Sequence, residues 1–396
     1  MTSARLLGLL VSVSVFFGCA AAEPPPPAPH QNPLYDENGN AGTNPLFETT
    51  HLALDGAGRP VLVYAQKVVE KATSGLKDTL KTNVRVVRPD VEGEGVAQGV
   101  ATDAAPRALG TVKGVVHLVS SEADGAALMT TIGDVATEPV RLAGFGVGDF
   151  TALHQSVVNV GGTAFAALQS RAGDTNGQSV LVELGAASPR VIAVGKAVGQ
   201  PGARFIADGS DDNAEFGVAL EAGATVHTAL SAGGALSAAI DTGKAGAPLA
   251  VWTDGKRLKT VVDARDGRLV FLEGVRASEL TVDSSALCRA VAFSKEGVPY
   301  VLEVKQTEAK LLDAAGTVLA TETTTFVAGD FVDCALVVDA QLAHLAWRTL
   351  RSPPTESRIV LDEIDYVSEP LDGSAALKPR PRTRHDTAKN SISNVR

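Results

Sequence analysis

Short apolar runs dominate this chain, and turn-forming residues recur between them. HLALDGAGRPVLVY, residues His51 to Tyr64, is two such runs divided by Asp-Gly-Ala-Gly-Arg-Pro. Aligned without a gap, Leu52–Tyr64 and Val291–Glu303 match apolar on apolar, Gly58 on Gly297 and Pro60 on Pro299. LVVDAQLAHLAW keeps Asp339 but puts Leu342 and His344 at the glycine and proline positions, and DTGKAGAPLAVW keeps Gly246 and Pro248. Weaker copies surround Gly114, Gly162 and Asn213. Each copy reads as strand, tight turn, strand: Gly and Asn tolerate positive φ, Asp bonds nearby amides, and a proline opening the second strand removes little. The runs are rich in Val, Leu, Ala and Phe and have strand length. Ala65–Leu80 is the one stretch read as a short helix.

Turn positions 58, 114, 162, 213, 246, 297 and 342 lie about 47 residues apart on average, the size of a four-stranded propeller blade. The short step from Asn213 to Gly246 marks one of these anchors as misplaced. The expected fold is therefore all-β, a propeller of seven four-stranded blades, with six as the other count the spacing allows. A pair of β-sandwiches also uses short strands and Gly/Pro turns, but does not require a turn at near-constant spacing. Leu350–Val367 is expected to give the outer strands of the last blade, and Asn44–Asp55 to close the ring by pairing with them.

The chain has 396 residues, 45% of them apolar and 20% charged, which is the usage of a folded globular protein with a sizeable core. A formal charge of −10 opposes nucleic acid and anionic headgroups as partners of the body. The N-terminus is different. Arg5 precedes an unbroken apolar and small run from Leu6 to Phe17, too short to span a bilayer, and Gly18-Cys19 follows. VFFGC resembles the lipobox of bacterial lipoproteins, with Phe16 where leucine is favoured. That resemblance implies removal of residues 1–18, lipidation of Cys19 and, with Ala20 next, sorting to the outer membrane. Ordinary signal cleavage before Glu23 is the competing reading, which would leave the protein secreted or periplasmic. Residues 19–45 are dense in Pro, Asn and Gly and read as a tether, 46–370 as the propeller, and basic residues 371–396 as a disordered tail.

With Cys19 set aside, Cys288 and Cys334 remain, 46 residues apart at similar positions before consecutive turns, so an inter-blade disulfide is expected, against two buried free thiols. Asp208-Gly-Ser-Asp211-Asp212-Asn213 gathers oxygen ligands of the kind calcium prefers, although ordinary turn formation explains the same residues. No other cofactor is indicated. His117 reads as a core or pore-lining residue, and Trp252 and Trp347 as blade packing.

From residue 46 to 370 the D-x-x-G-x-P turn followed by an apolar strand resembles the degenerate repeats of secreted bacterial β-propellers, sialidase-like ones included. An enzyme of that kind implies three arginines and a carboxylate at the axis and S-x-D-x-G-x-x-W boxes. The chain has no such box, and nothing in the spacing of Arg85, Arg88, Arg107, Arg141 and Arg204 selects three. Serine hydrolase, zinc protease and P-loop signatures are also absent. The sequence therefore favours an envelope-tethered binding or scaffold module acting on an envelope protein over a carbohydrate hydrolase or lyase with an axial site.

Overall fold

In the computed structural model the chain is a seven-bladed β-propeller without helices among the described residues. The structure describes residues 34–35, 41–42 and 50–395 except 71–78, 123–125, 147–154, 170–177, 186–189, 197–204, 210–214, 223–224, 233–234, 265, 275, 328–329, 352–360, 375–381 and 388. Two short strands, β1 (Leu34–Tyr35) and β2 (Ala41–Gly42), pair with each other ahead of the ring. Cys19 lies outside the described residues.

Each blade comes from one contiguous stretch. Blade one holds β3 (His51–Leu54), β4 (Pro60–Glu70), β5 (Thr79–Val87) and β7 (Gln98–Thr102), with β6 (Gly93–Glu94) diverted elsewhere. Blade two is β8 (Ala104–Val112), β9 (Val115–Glu122), β10 (Ala126–Ile132) and β11 (Val140–Gly146). Blade three is β12 (Gln155–Val160), β13 (Thr163–Gln169), β14 (Gln178–Glu183) and β15 (Val191–Lys196). Blade four is β16 (Phe205–Gly209), β17 (Phe216–Ala222), β18 (Thr225–Ala232), the two-residue β19 (Ala235–Leu236) and β20 (Ile240–Ala245). Blade five is β21 (Ala247–Thr253), β22 (Leu258–Asp263), β23 (Arg268–Glu273) and β24 (Arg276–Thr281). Blade six is β25 (Cys288–Phe293), β26 (Pro299–Val304), β27 (Glu308–Asp313) and β28 (Val318–Thr323). Blade seven is β29 (Phe331–Val338), β30 (Leu342–Arg351), β31 (Leu361–Pro370) and β32 (Arg382–Asp386), extended by β33 (Ser391–Val395) and then by β6 from blade one.

The near-continuous apolar runs of the sequence now have a reason. Successive strand residues point to opposite faces, and in a propeller both faces of a blade are covered by neighbours. Val61 and Val63 pack toward blade two while Leu62 and Tyr64 pack toward blade seven. Val262 faces blade four and Val261 faces blade six. The seven apolar clusters each straddle two consecutive blades, so the core is a ring of seams. A fully buried Val or Leu in such a seam contributes roughly 1.5–3 kcal/mol. Near the axis the seams are so tight that glycine is required: a Cβ on Gly209 would sit 1.8 Å from the Asn159 carbonyl oxygen, and one on Gly110 2.1 Å from that of Val157.

The structure corrects four expectations. Gly246 is not a hairpin turn; at φ +135° it forms the junction between β20 and β21, where a Cβ would strike the Asp263 carbonyl. The blade-five turn is at Gly255, 42 residues from both Asn213 and Gly297, which restores the even spacing. Ala65–Leu80 begins in β4 and ends in β5, because residues of both strands alternate between the seams with blades two and seven. The N-terminal strand does not close the ring on blade seven: His51–Leu54 pairs with β4 inside blade one. The tail does that work. Residues 382–395 form β32 and β33, and β33 pairs with β6 through Ser391–Glu94 and Ile392–Gly93. Gly95 and Ala97 donate their amides to Asn390, at 2.7 Å to its carbonyl and 2.9 Å to its side-chain Oδ1, fastening the C-terminal strands to blade one.

Candidate functional sites: the axis and the turn face of blade five

The innermost strands enclose an axial cavity of about 300 Å³. Its walls are chiefly aliphatic, with Leu52, Leu109, Ile206, Leu249, Val291 and Leu336 on six of the blades. The lining includes one imidazole, His51, and one guanidinium, Arg289. His51 is buried, and desolvation, helped by the charge of Arg107, pushes its imidazole down to about 4. It is a neutral ring at physiological pH. Arg289 is held at the cavity margin: its Nε donates to Glu303 Oε1 at 3.3 Å, another nitrogen donates to the Asp283 carbonyl, and Asp263 Oδ2 lies 3.9 Å away. Its charge is thereby tied to the flank of blades five and six.

A second grouping lies where the hairpin turns come to one face of the disc. Asp254 accepts the Lys256 and Arg257 amides at 2.9 and 2.7 Å, and its other oxygen accepts the Arg257 guanidinium at 2.7–2.8 Å. Partial burial opposes ionisation, but those amides and the guanidinium prevail and hold the Asp254 carboxyl down at about 2. The Arg257 guanidinium lies 5.5 Å and the Lys259 ammonium 5.3 Å from the Trp252 ring centre. Trp252 Nε1 donates to the Lys295 carbonyl at 3.1 Å and Lys259 donates to that of Gly297 at 2.8 Å, so the turn of blade five is bolted to that of blade six. Gly297 permits this: a Cβ there would meet the indole at 2.7 Å. On either flank of the blade is a depression. One of about 450 Å³ is lined by Leu230, Ile240, Lys256, Arg257 and Leu258, and one of about 260 Å³ by Lys259, Phe271, Phe293 and Pro299. Glu273 and Arg276 belong to both.

Cys288 and Cys334 form a disulfide, with Cα atoms 6.0 Å apart, that ties the inner strand of blade six to that of blade seven. Asp208 accepts the Thr253 amide at 2.9 Å and links blade four to blade five. Asp211, Asp212 and Asn213, the other expected calcium ligands, lie outside the described residues, as does Arg204. The remaining arginines do not gather at the axis. Arg85 donates to Gln66, Arg107 to Ser121, and Arg88 and Arg141 pair with Asp55 and Glu122. His117 sits on the second strand of blade two, away from the pore, its imidazole pushed down by burial. Trp252 and Trp347 are both buried in the seams.

Two groupings escaped the sequence reading. The basic turn DGKRLK, Asp254–Lys259, stands out against an acidic chain, and that contrast was the available signal. The polar seam between blades seven and one had none, because its members are hundreds of residues apart. There the Tyr64 hydroxyl lies 2.7 Å from His385 Nε2, and Arg348, 1% exposed, donates to both Asp362 oxygens and to the Ala65 carbonyl.

No protein-family model matches the chain, and no curated protein does. Among solved structures it resembles the periplasmic gluconolactonase of Pseudomonas aeruginosa, at 16% identity and a TM-score of 0.43 over 74% of this chain and 88% of that one. It also resembles the prolyl oligopeptidase B of Galerina marginata, at 10% identity and a TM-score of 0.45 over 89% of this chain and 52% of that one. The chain thus spans about half the length of that second protein.

Proposed function

We propose that the protein is an envelope-tethered binding or scaffold module that presents its disc to another protein of the cell envelope. The observation that carries this reading is the distribution of chemistry. Aliphatic side chains wall the axis, and its one arginine is engaged by carboxylates on the flank, whereas a cation cluster is displayed at the turn face. A substrate held at the axis would meet hydrocarbon, a neutral His51 and an arginine already engaged by carboxylates; a partner laid across the face meets unpaired charge and shape. Cys19 as the lipidated residue and the Pro-rich stretch behind it as a spacer complete the reading, with the outer membrane as the destination.

Two measurements test it. Radiolabelled palmitate is expected to enter the wild type and not Cys19→Ser; no label in the wild type removes the anchor. Crosslinking of the intact tethered protein in the envelope, followed by mass spectrometry, is expected to yield one partner in near-equal amount. Recovery of abundant envelope proteins alone would remove the scaffold role and turn attention to glycan hydrolysis.

A further inference from the structure

Blade five carries two depressions with apolar floors and cationic rims, one on each flank, sharing the wall formed by Thr260, Leu272, Glu273 and Arg276. We propose that this pair of depressions docks an extended acidic segment of the partner protein, its carboxylates on the lysines and arginines of the rim and its aliphatic side chains in the floors. The inference rests on the scaffold reading above and names the contact face and the chemistry it selects.

Charge is the first argument. The chain as a whole carries −10, yet Lys256, Arg257, Lys259 and Arg276 meet here, with Glu273 as the one lining carboxylate among the described residues. Several exposed cations elsewhere on the disc are neutralised: Arg268 pairs with Asp266 and Glu279, Arg59 with Asp55 and Asp134, Lys389 with Asp386. Lys256 and Arg276 have no ion-pair partner among the described residues. Two unneutralised cations at the mouth of an apolar depression are complementary to carboxylates and repel other cations.

The floors supply the second argument. Ile240 is 57% exposed beside Leu230 and Leu258 on one flank, and Phe271, Phe293 and Pro299 line the other. These are apolar surfaces that suit the aliphatic side chains of a partner. Sugar faces stack on open rings, but Trp252 is 8% exposed, flanked by two cations and closed by Gly297, so its indole offers no platform to a glycan. The third argument is the backbone. β24, beginning at Arg276, is the outermost strand of the blade and among the described residues pairs only with β23, presenting an edge whose amides and carbonyls suit an extended segment.

The test uses the full chain and a defined probe, a fluorescein-labelled peptide alternating glutamate and leucine, read by anisotropy at low and high salt. Wild type is expected to bind it, more weakly as salt rises, and better than a glutamate–serine peptide. Lys256→Glu with Arg276→Glu is expected to weaken binding by about tenfold or more. Lys113→Glu, on the turn of blade two, makes the same kind of charge change and is expected to leave it unaltered, with both variants melting like the wild type. Equal affinity of wild type and the double variant overturns the site, as does preference for a polygalacturonate oligomer over the peptide. Photo-crosslinkers placed at Ser278 and at positions around the disc separate the two levels of the argument. A partner crosslinked only from remote positions overturns this site and leaves the scaffold reading; no partner from any position overturns both.

Discussion

Arg348 offers the sharpest test of how the ring is held shut. It lies on β30, is 1% exposed, donates to Asp362 Oδ1 and Oδ2 at 2.8 and 2.7 Å, reaches across to the Ala65 carbonyl of blade one at 2.7 Å, and places its guanidinium 5.3 Å from the Tyr64 ring centre. One guanidinium nitrogen, Nη1, has no hydrogen-bond partner among the described residues. Arg348→Met keeps most of the volume but leaves the Asp362 carboxylate, 13% exposed, without the guanidinium that neutralises it. Breaking a buried pair in this way costs about 3 kcal/mol or more. A body of roughly 350 residues, at about 2.1 cal/mol/K each, has an unfolding entropy near ~0.7 kcal/mol/K, so the midpoint should fall by about 4 °C. The companion variant Arg348→Met with Asp362→Leu removes both charges and is expected to return to within about 1 kcal/mol of wild type, since an incompletely satisfied ion pair gains little over hydrocarbon. The assay is thermal denaturation followed by the fluorescence of buried Trp347 and Trp252. A single variant as stable as wild type, or a double variant no better than the single, would refute the reasoning.

Three further outcomes follow from the same geometry. Replacing Cys288 and Cys334 by alanine opens a 46-residue loop between two inner strands and should cost about 4 kcal/mol on the chain-entropy account, read as a shift in denaturation midpoint; an unchanged midpoint would show that the bridge constrains nothing. His51, neutral when buried and pushed down to about 4 against an ordinary 6.5, makes the unfolded chain the better proton binder between those values, so stability present above pH 6.5 should fall as pH drops toward 4, by up to about 3 kcal/mol; His51→Gln should flatten that part of the curve, and an unaltered slope would assign it elsewhere. Truncation after Asp386 removes β33, the Asn390–Ala97 bond and the buried Ile392, and is expected to raise hydrogen exchange in blades one and seven while leaving blades three to five protected. Uniform exchange across the ring would contradict a closure localised at that seam.

The turns were legible because their causes are local. Asp55 accepts the amides of Ala57 and Arg59 at 2.9 Å each, and Gly58 adopts φ +74°, all within five residues, so the hairpin is written where it forms. The same economy misled at Gly246, where a Gly–Pro pair served the crossing from one blade to the next. The cysteines were legible through the repeat, since equivalent positions in consecutive blades stand side by side. The depressions of blade five were visible only as a basic turn, because their floors come from β18, β20, β22, β23, β25 and β26, elements that the ring brings together. The tail shows the boundary most clearly. By composition residues 382–395 are basic and poor in apolar side chains, which denies them a fold of their own. In the ring Arg384 pairs with Asp365 at 2.8 Å, His385 meets Tyr64 and Ile392 enters the core shared with Leu62. Turn chemistry and strand pattern are short-range properties that a sequence carries by itself; closure depends on partners some 300 residues away, which only the assembled ring supplies.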